Sequence, residues 1–255
     1  KKNKLNNWNE SIIKLHASKD GKNNQSKSFR RIVFDELCAN FLTLSENRKR
    51  IRINKSPKKF TKQNSELIKK NLPFKLTNDQ EKVLDEINQD LLSNKRMFRI
   101  IQGDVGSGKT IVSLLSIINV IKSGYQCALM SPTEILANQH YTLIKKIFKN
   151  ENFEIAFLTG KTENKLKKAI LANLTSGKIK LLIGTHALFQ KKINFKKLGL
   201  AVIDEQHKFG VKQRSDLAKK GGNECDVLLM SATPIPRTMM MSLYGDMDIS
   251  KITEK

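Results

Sequence analysis

Residues 97–110 read MFRIIQGDVGSGKT and join a short apolar run to a glycine-rich loop. Residues 97–102 predict a buried strand, and residues 111–121, apolar nearly all round, predict a buried helix after the loop. Residues 103–110 match the pattern G-x-x-x-x-G-K-[ST] in full, in the strand–loop–helix context that it requires. Such a loop turns its N–H groups towards phosphate oxygens, at a helix N-terminus that favours anions. The stretch predicts a triphosphate site formed by Gly103, Asp104, Val105, Gly106, Ser107, Gly108, Lys109 and Thr110.

An acidic pair at the end of another predicted strand supplies carboxylates for metal binding and for hydrolysis. Residues 200–203 form an apolar strand that ends in Asp204 and Glu205. In an open parallel sheet, ligands bind at the carboxyl ends of the strands. We expect Lys109 to reach the β- and γ-phosphates, Thr110 and Asp204 to hold Mg²⁺, and Glu205 to orient or deprotonate the attacking water.

The region around the loop alternates between apolar runs and helical patterns. Further strands are predicted at residues 126–130, 154–158, 179–183, 198–203 and 226–230. Helical spacing recurs between several of them, including residues 136–148 and 166–174. This alternation predicts an α/β fold, a P-loop domain whose parallel sheet is covered by helices. Within residues 136–148, His140 falls near apolar positions, and a core or capping role and a functional role both stay open for it.

The amino-terminal part has a different character. It holds 20 Lys and Arg against 6 acids in residues 1–75, and Pro73 disfavours helix just before it. Phe29, Val33, Leu37 and later apolar residues recur at helical spacing and predict an amphipathic helix. We expect a basic helical linker in residues 1–71 and the nucleotide-binding domain in residues 72–255. Residues 48–52 are a solvated helix end or a phosphate-contacting surface, and Trp8 docks on another domain or is disordered.

The composition of the chain indicates which classes of partner and which cellular environment fit it. The chain has 255 residues and a net charge of +23, which favours a polyanion, nucleic acid above all, although a biased genome composition could also supply it. Three separated cysteines argue against a disulfide framework or a zinc site and fit a reducing compartment. No stretch is apolar enough for an ordinary membrane span. The start at Lys1, without Met, suggests a piece of a longer polypeptide.

Several further motifs make the resemblance specific. Residues 204–207, DEQH, resemble the DExH box of superfamily 2 helicases, and residues 231–233, SAT, resemble their motif III. Residues 130–134 and 184–186 resemble the motifs that touch the nucleic-acid backbone. Gln80 stands where these helicases place an adenine-reading glutamine. The strings GDVGSGKT, SPTEILANQH, IGTHALFQ, VIDEQHKFGV and SATPIPRT together resemble the RecG family of bacterial branch-migration helicases.

The resemblance implies a RecA-like motor domain that uses ATP and Mg²⁺ and acts on branched DNA. It implies fork reversal and Holliday-junction migration during DNA repair and recombination in the bacterial cytoplasm. His207 and the segment Ser231, Ala232 and Thr233 would couple the nucleotide state to the DNA. The residues on the DNA path would be Pro132, Thr133, Gly160, Thr185 and His186.

The family's motor also has a second RecA-like domain, which supplies arginine fingers, and a wedge domain that binds branched DNA. We expect both to be partners of this chain, which alone would hydrolyse ATP slowly. Two alternatives stay open. One is the motor domain of a translocase like the transcription-repair coupling factor. The other is a non-enzymatic nucleic-acid-binding fragment.

Overall fold

The computed structural model describes residues 5–17, 26–51, 54–70, 72–190, 192–205, 220–233 and 247–254. The chain divides into two compact units. The first comprises residues 1–50 and 236–246, and the second comprises residues 51–235 and 247–255. Among the described residues, no helix is both long enough and apolar enough to cross a lipid bilayer.

The first unit contributes two described helices, α1 (Trp8–Ala17) and α2 (Lys27–Ile51). The hydroxyl of Ser26 accepts the Phe29 N–H at 3.1 Å and so caps the start of α2. A helix is present where the amphipathic spacing predicted one, and it spans 25 residues. Leu37 and Phe41 on its apolar stripe are about half exposed, as is Trp8 on α1. The predicted basic run at residues 48–52 lies outside the described side chains.

The second unit is a sheet with helices between its strands. Its helices are α3 (Lys62–Lys70), α4 (Asn78–Leu92), α5 (Lys109–Lys122), α6 (Glu134–Ile147) and α7 (Asn164–Ser176). Its strands are β1 (Phe98–Gly103), β2 (Gln126–Met130), β3 (Glu154–Leu158), β4 (Ile179–Gly184), β5 (Leu198–Ile203), β6 (Asp226–Ser231) and β7 (Asp248–Ile252).

The seven strands lie in the order β3-β4-β2-β5-β6-β1-β7, and each neighbouring pair is parallel. This is the predicted RecA-like α/β architecture. The loop after β1, the acidic pair after β5 and residues 231–233 at the end of β6 therefore share the carboxyl edge of the sheet. That shared edge brings the predicted nucleotide residues within reach of one another.

Helix α5 is the centre of the core, as its all-round apolar sequence predicts. Every residue from Val112 to Ile121 is buried. Two polar side chains in this stretch donate hydrogen bonds: Ser116 donates to the Val112 carbonyl, and Asn119 donates to the Asn88 amide oxygen at 2.9 Å, while the Asn119 amide oxygen has no partner among the described residues. Burial of such groups costs little when they are hydrogen-bonded. Helices α3 and α4 pack against α5.

Residues 54–60, called the strap below, are held at the amino end of the sheet by ion pairs and hydrogen bonds. Lys55 and Lys58 are buried, and both amines donate to the Asp226 carboxylate at 2.7 Å. Asp226 also accepts the Met97 N–H, and Lys58 donates to the Glu224 carbonyl at 2.8 Å. Burial lowers the pKa of Lys55, although Asp226 opposes that shift.

The strap therefore belongs to the second unit, whereas the sequence analysis placed residues 54–70 in the linker. The difference arises because Lys55 and Lys58, which add to the basic composition of residues 1–71, are charges of the interior. The functional boundary at residues 71 and 72 stays a prediction.

Candidate nucleotide site and nucleic-acid cleft

The glycine-rich loop runs from the end of β1 to the start of α5. Gly108, the residue that caps α5, has a φ of 83°, in the left-handed region that favours glycine. A Cβ on Gly108 would lie 2.4 Å from the Gln80 amide nitrogen, and one on Gly103 would lie 2.7 Å from the Ile252 carbonyl oxygen. Both glycines are needed because neighbouring groups approach the backbone closely.

The Lys109 amine folds back over this loop. It donates to the carbonyl oxygens of Gly103 and Asp104, at 2.7 Å each. Partial burial lowers the pKa of Lys109, and three nearby carboxylates oppose the shift. These carboxylates are Asp204, Glu205 and Asp104. Two carbonyl oxygens thus hold the amine at the loop, and the nearby carboxylates favour its protonated form.

A phosphate group fits this loop on two observations. The Ser107 hydroxyl is buried, and it has no hydrogen-bond partner among the described residues. A buried polar atom without a partner calls for a ligand atom or a water. The loop also lies at the N-terminus of the 14-residue helix α5, where backbone N–H groups and the helix dipole favour binding of an anion.

Asp204 is held from three sides just after β5. Its N–H donates to the Met130 carbonyl of β2 at 2.8 Å, and its Oδ1 accepts the Glu205 N–H at 2.9 Å. Its Oδ2 lies 2.8 Å from Nε2 of His140 on α6. Glu205 has a φ of 49°, a backbone conformation that is uncommon for a non-glycine residue.

The described residues contain no group of three His, Cys, Asp or Glu side chains that could hold a metal ion. A Mg²⁺ ion is commonly bound by one or two carboxylates together with substrate phosphates. The Asp204 carboxylate and the Thr110 hydroxyl offer the oxygen donors that such a shared site needs.

The side-chain amide of Gln80 is already hydrogen-bonded to two backbone groups, one at the start of α4 and one in the loop. Its Oε1 accepts the Thr77 N–H at 3.1 Å, which completes the capping box of α4. Its Nε2 donates to the Ser107 carbonyl at 2.9 Å. The amide thus joins α4 to the phosphate-binding loop. Its predicted contact with adenine stays a prediction.

The segment after β6 is tied to the loop as well. The hydroxyls of Ser231 and Thr233 lie 3.0 Å apart, and the Thr233 carbonyl accepts the Gln102 amide at 3.1 Å. Gln102 immediately precedes Gly103, so residues 231–233 are connected to the start of the loop. The coupling role of residues 231–233 stays a prediction.

A surface cleft brings together most of the residues predicted to lie on the DNA path. Its walls are Pro132, Glu134, Gly160, Thr185, His186, Ala187 and Gln190. The remaining predicted residue, Thr133, stands between two of these and caps α6 by accepting the Leu136 N–H. Glu134 pairs with Lys161 at 3.2 Å at the edge of this cleft. His207 lies outside the described residues.

A second hollow lies beside α4. It is lined by Glu66, Lys69, Lys70, Leu72, Pro73, Phe74, Lys75, Leu76 and Glu81. The Phe74 ring is 48% exposed, and Lys69 closes one side by pairing with Glu81 at 2.6 Å. The sequence analysis missed this hollow, although Phe74 lies only six residues before Gln80.

The family model for the DEAD/DEAH box helicase matches residues 77–242. This chain belongs to the DEAD/DEAH box helicase family. The match covers the phosphate-binding loop, the acidic pair and the cleft, so each part of the carboxyl edge described above lies within the region shared with these helicases.

Among curated relatives of this helicase domain, the ATP-dependent DNA helicase RecG of Aquifex aeolicus is 46% identical over 254 residues. RecG of Bacillus subtilis is 46% identical over 227 residues. These matches cover 95% and 88% of this chain but 32% and 33% of the relatives. The chain thus spans about a third of their length, and the predicted RecG resemblance is confirmed.

Solved structures agree. RecG bound to a three-way DNA junction superposes with a TM-score of 0.78 at 41% identity, over 90% of this chain and 31% of that one. The DEAD-box helicase Mss116, bound to ssRNA and UDP-BeF, superposes with a TM-score of 0.58 at 20% identity, over 76% and 43%. The second likeness concerns the fold alone.

Two polar residues of this helicase domain escaped the sequence analysis. Gln102 was treated as the end of a strand, and the role of His140 was left open without a partner being named. A signal for His140 exists, since Ala137, His140 and Ile144 form the buried face of α6. A histidine on such a face needs a polar partner, but the sequence alone does not say which one.

Proposed function

We propose that this chain is the ATP-binding motor domain of an ATP-dependent DNA helicase of the RecG type. The observation that carries this proposal is the convergence of the loop at residues 103–110 and of the acidic pair Asp204 and Glu205 on the carboxyl edge of one parallel sheet. The proposed domain comprises residues 72–255, preceded by a basic linker in residues 1–71.

In the proposed reaction, residues 103–110 bind the triphosphate through their N–H groups and Lys109 neutralises its charge. Bound Mg²⁺, held by Thr110 and Asp204, would neutralise charge that develops on the transferred phosphoryl group. Glu205 orients the attacking water and accepts its proton. Gln80 joins α4 to the loop, and Phe74 lines the hollow beside α4; we place the adenine base on this side of the loop.

The proposed DNA path is the cleft of Pro132, Gly160, Thr185 and His186, together with Thr133. A net charge of +23 supports a polyanionic ligand. One relative with the same fold was solved on a three-way DNA junction, which supports branched DNA as the substrate class. The proposed processes are fork reversal and Holliday-junction migration in the bacterial cytoplasm.

The curated relatives are about three times longer than this chain, which supports partners from the same polypeptide. We propose a second RecA-like domain and a wedge domain as those partners. The bound nucleotide would influence DNA binding through four residues. These are His207 and Ser231, Ala232 and Thr233, the last three of which are connected to the loop through Gln102.

Calorimetry with a Mg²⁺·ATP analogue tests the nucleotide half of the proposal. Lys109→Ala should weaken binding by about 10–100-fold, because a hydrogen bond from a charged group contributes about 1.5–3 kcal/mol. Lys168→Ala is the matched control, since Lys168 is exposed on α7. Equal affinities for the wild type and Lys109→Ala would contradict the proposal.

Binding of forked DNA separates the remaining alternatives. Fluorescence anisotropy should detect binding that weakens steeply with salt and responds to the nucleotide analogue. Affinity that depends on salt but is indifferent to nucleotide would favour a non-enzymatic binding fragment. Equal affinity for forked and linear duplexes would favour a translocase of the coupling-factor type.

A further inference from the structure

Helix α6 spans the distance between the cleft and the acidic pair. It begins after Thr133, whose neighbours Pro132 and Glu134 line the cleft. Its buried face carries His140 six residues after Glu134, which is about 9 Å further along the helix at 1.5 Å per residue. His140 is only 9% exposed, and it is the polar member of a face otherwise formed by Ala137 and Ile144.

The imidazole uses this position to contact the acidic pair. Its Nε2 lies 2.8 Å from Oδ2 of Asp204, and the two side chains are 11% and 14% exposed. An ionised carboxylate only accepts hydrogen bonds, so Nε2–H is the donor. The neutral imidazole that carries its proton on Nε2 is sufficient for this contact.

The contact completes the orientation of the carboxylate. Oδ1 is already fixed by the Glu205 N–H, and the Asp204 backbone is fixed by Met130. With a donor on each oxygen, the carboxylate plane is held against rotation, while further lone pairs stay available for a cation. Groups that orient a metal-binding carboxylate in this way change metal affinity without touching the metal.

We propose that His140 is a positioning residue that orients Asp204 for Mg²⁺ from the helix that begins at the cleft. The inference rests on the proposed function, because it takes Asp204 as the metal-binding carboxylate. It adds a residue outside the loop and the DExH box to the machinery of the nucleotide site.

The first experiment titrates Mg²⁺ into the chain with an ATP analogue and follows binding by calorimetry. His140→Ala should raise the Mg²⁺ concentration at half-saturation by about 10–100-fold, the usual effect of removing such an orienting group. Affinity for the analogue without Mg²⁺ should stay unchanged, because the hydrogen bond described for His140 runs to Asp204 and not to the loop. His140→Gln can still present an amide N–H to Asp204 and should restore most of the Mg²⁺ response.

Asn138→Ala is the matched control, since Asn138 is exposed on the same helix. It should behave as the wild type. The inference is overturned if His140→Ala keeps the wild-type Mg²⁺ dependence, or if the Gln variant is as impaired as the Ala variant. A wild-type chain that binds no Mg²⁺·nucleotide would instead overturn the proposed function, and this inference with it.

A second measurement needs no substitution in the observed protein and decides the matter if His140→Ala does not fold. The chain has four histidines, so their ring nitrogens can be separated by NMR, with His140→Gln as the assignment control. In its neutral form, the His140 imidazole should carry its proton on Nε2. A proton on Nδ1 would leave Nε2 unable to donate to Asp204 and would overturn the inference.

Discussion

The side-chain amide of Gln80 donates to the main-chain carbonyl of Ser107 across 2.9 Å and thereby joins α4 to the phosphate-binding loop. The same side chain closes the capping box with Thr77, and Gly108 leaves it the space that a Cβ would occupy. Gln80 therefore contributes both to the start of α4 and to the position of the loop.

Gln80→Ala should lower the free energy of unfolding by about 1–3 kcal/mol, because the Ser107 carbonyl and the Thr77 N–H each lose a partner. Urea unfolding measures this loss. Gln89→Ala, at an exposed position of the same helix, should stay within about 0.5 kcal/mol of the wild type. Equal stabilities for the two variants would contradict the structural role of Gln80.

The adenine contact proposed for Gln80 has its own readout. If the amide also reads the base, Gln80→Ala should reduce the preference for adenine over guanine nucleotides in addition to lowering stability. A variant that is destabilised but keeps the wild-type preference would leave Gln80 with the structural role alone.

Gly160→Leu should separate DNA binding from folding. A Cβ on Gly160 would meet nothing within 4 Å, so a side chain there extends into the cleft without disturbing the fold. We expect the thermal midpoint to stay near the wild-type value, while affinity for single-stranded DNA falls by about tenfold, the equivalent of 1.4 kcal/mol. Fluorescence anisotropy checks the affinity.

The control for this change is Ala169→Leu, which adds a side chain of the same size at an exposed position of α7. It should leave both the thermal midpoint and DNA affinity unchanged. Full DNA affinity in Gly160→Leu would remove the cleft from the proposed DNA path.

Asp226→Asn should strongly destabilise the second unit. It removes the counter-charge of two buried amines, those of Lys55 and Lys58, and an uncompensated buried charge typically costs about 3–5 kcal/mol. Chemical denaturation measures the change. Glu163→Gln removes an exposed carboxylate from the same unit and should have little effect. A small loss in Asp226→Asn would mean that the amines are stabilised without Asp226.

Local patterns predicted the parts of this fold that depend on neighbours in sequence. The observed β2, β3 and β5 have the predicted bounds, and the predicted bounds of the other predicted strands differ by at most one residue at an end. The loop at residues 103–110 and the acidic pair were found because strand, loop and helix follow one another directly. β7 was missed, since Asp248–Ile252 alternates too weakly to predict a strand and is specified by pairing with β1.

The sequence patterns did not predict contacts between residues that lie far apart along the chain. Lys55 and Lys58 look like surface charges until Asp226, some 170 positions later, is placed beside them. His140 and Asp204 are likewise separated by 64 positions. Which polar group meets which other is decided by the packing of helices and strands, and hydrophobic spacing does not encode it.

The strap also determines how the second unit takes up mechanical load. Tension on the strap would reach Asp226, the first residue of β6, a central strand between β5 and β1. It would also reach Leu91 and Asn94, whose carbonyls accept the backbone N–H groups of Lys58 and Lys55. Along that strand the force acts as shear on two parallel ladders, so many hydrogen bonds resist together instead of peeling one by one. The far end of β6 is Ser231, paired with Gln102 beside the glycine-rich loop, so this strand connects the strap to the sheet edge where the nucleotide site is proposed.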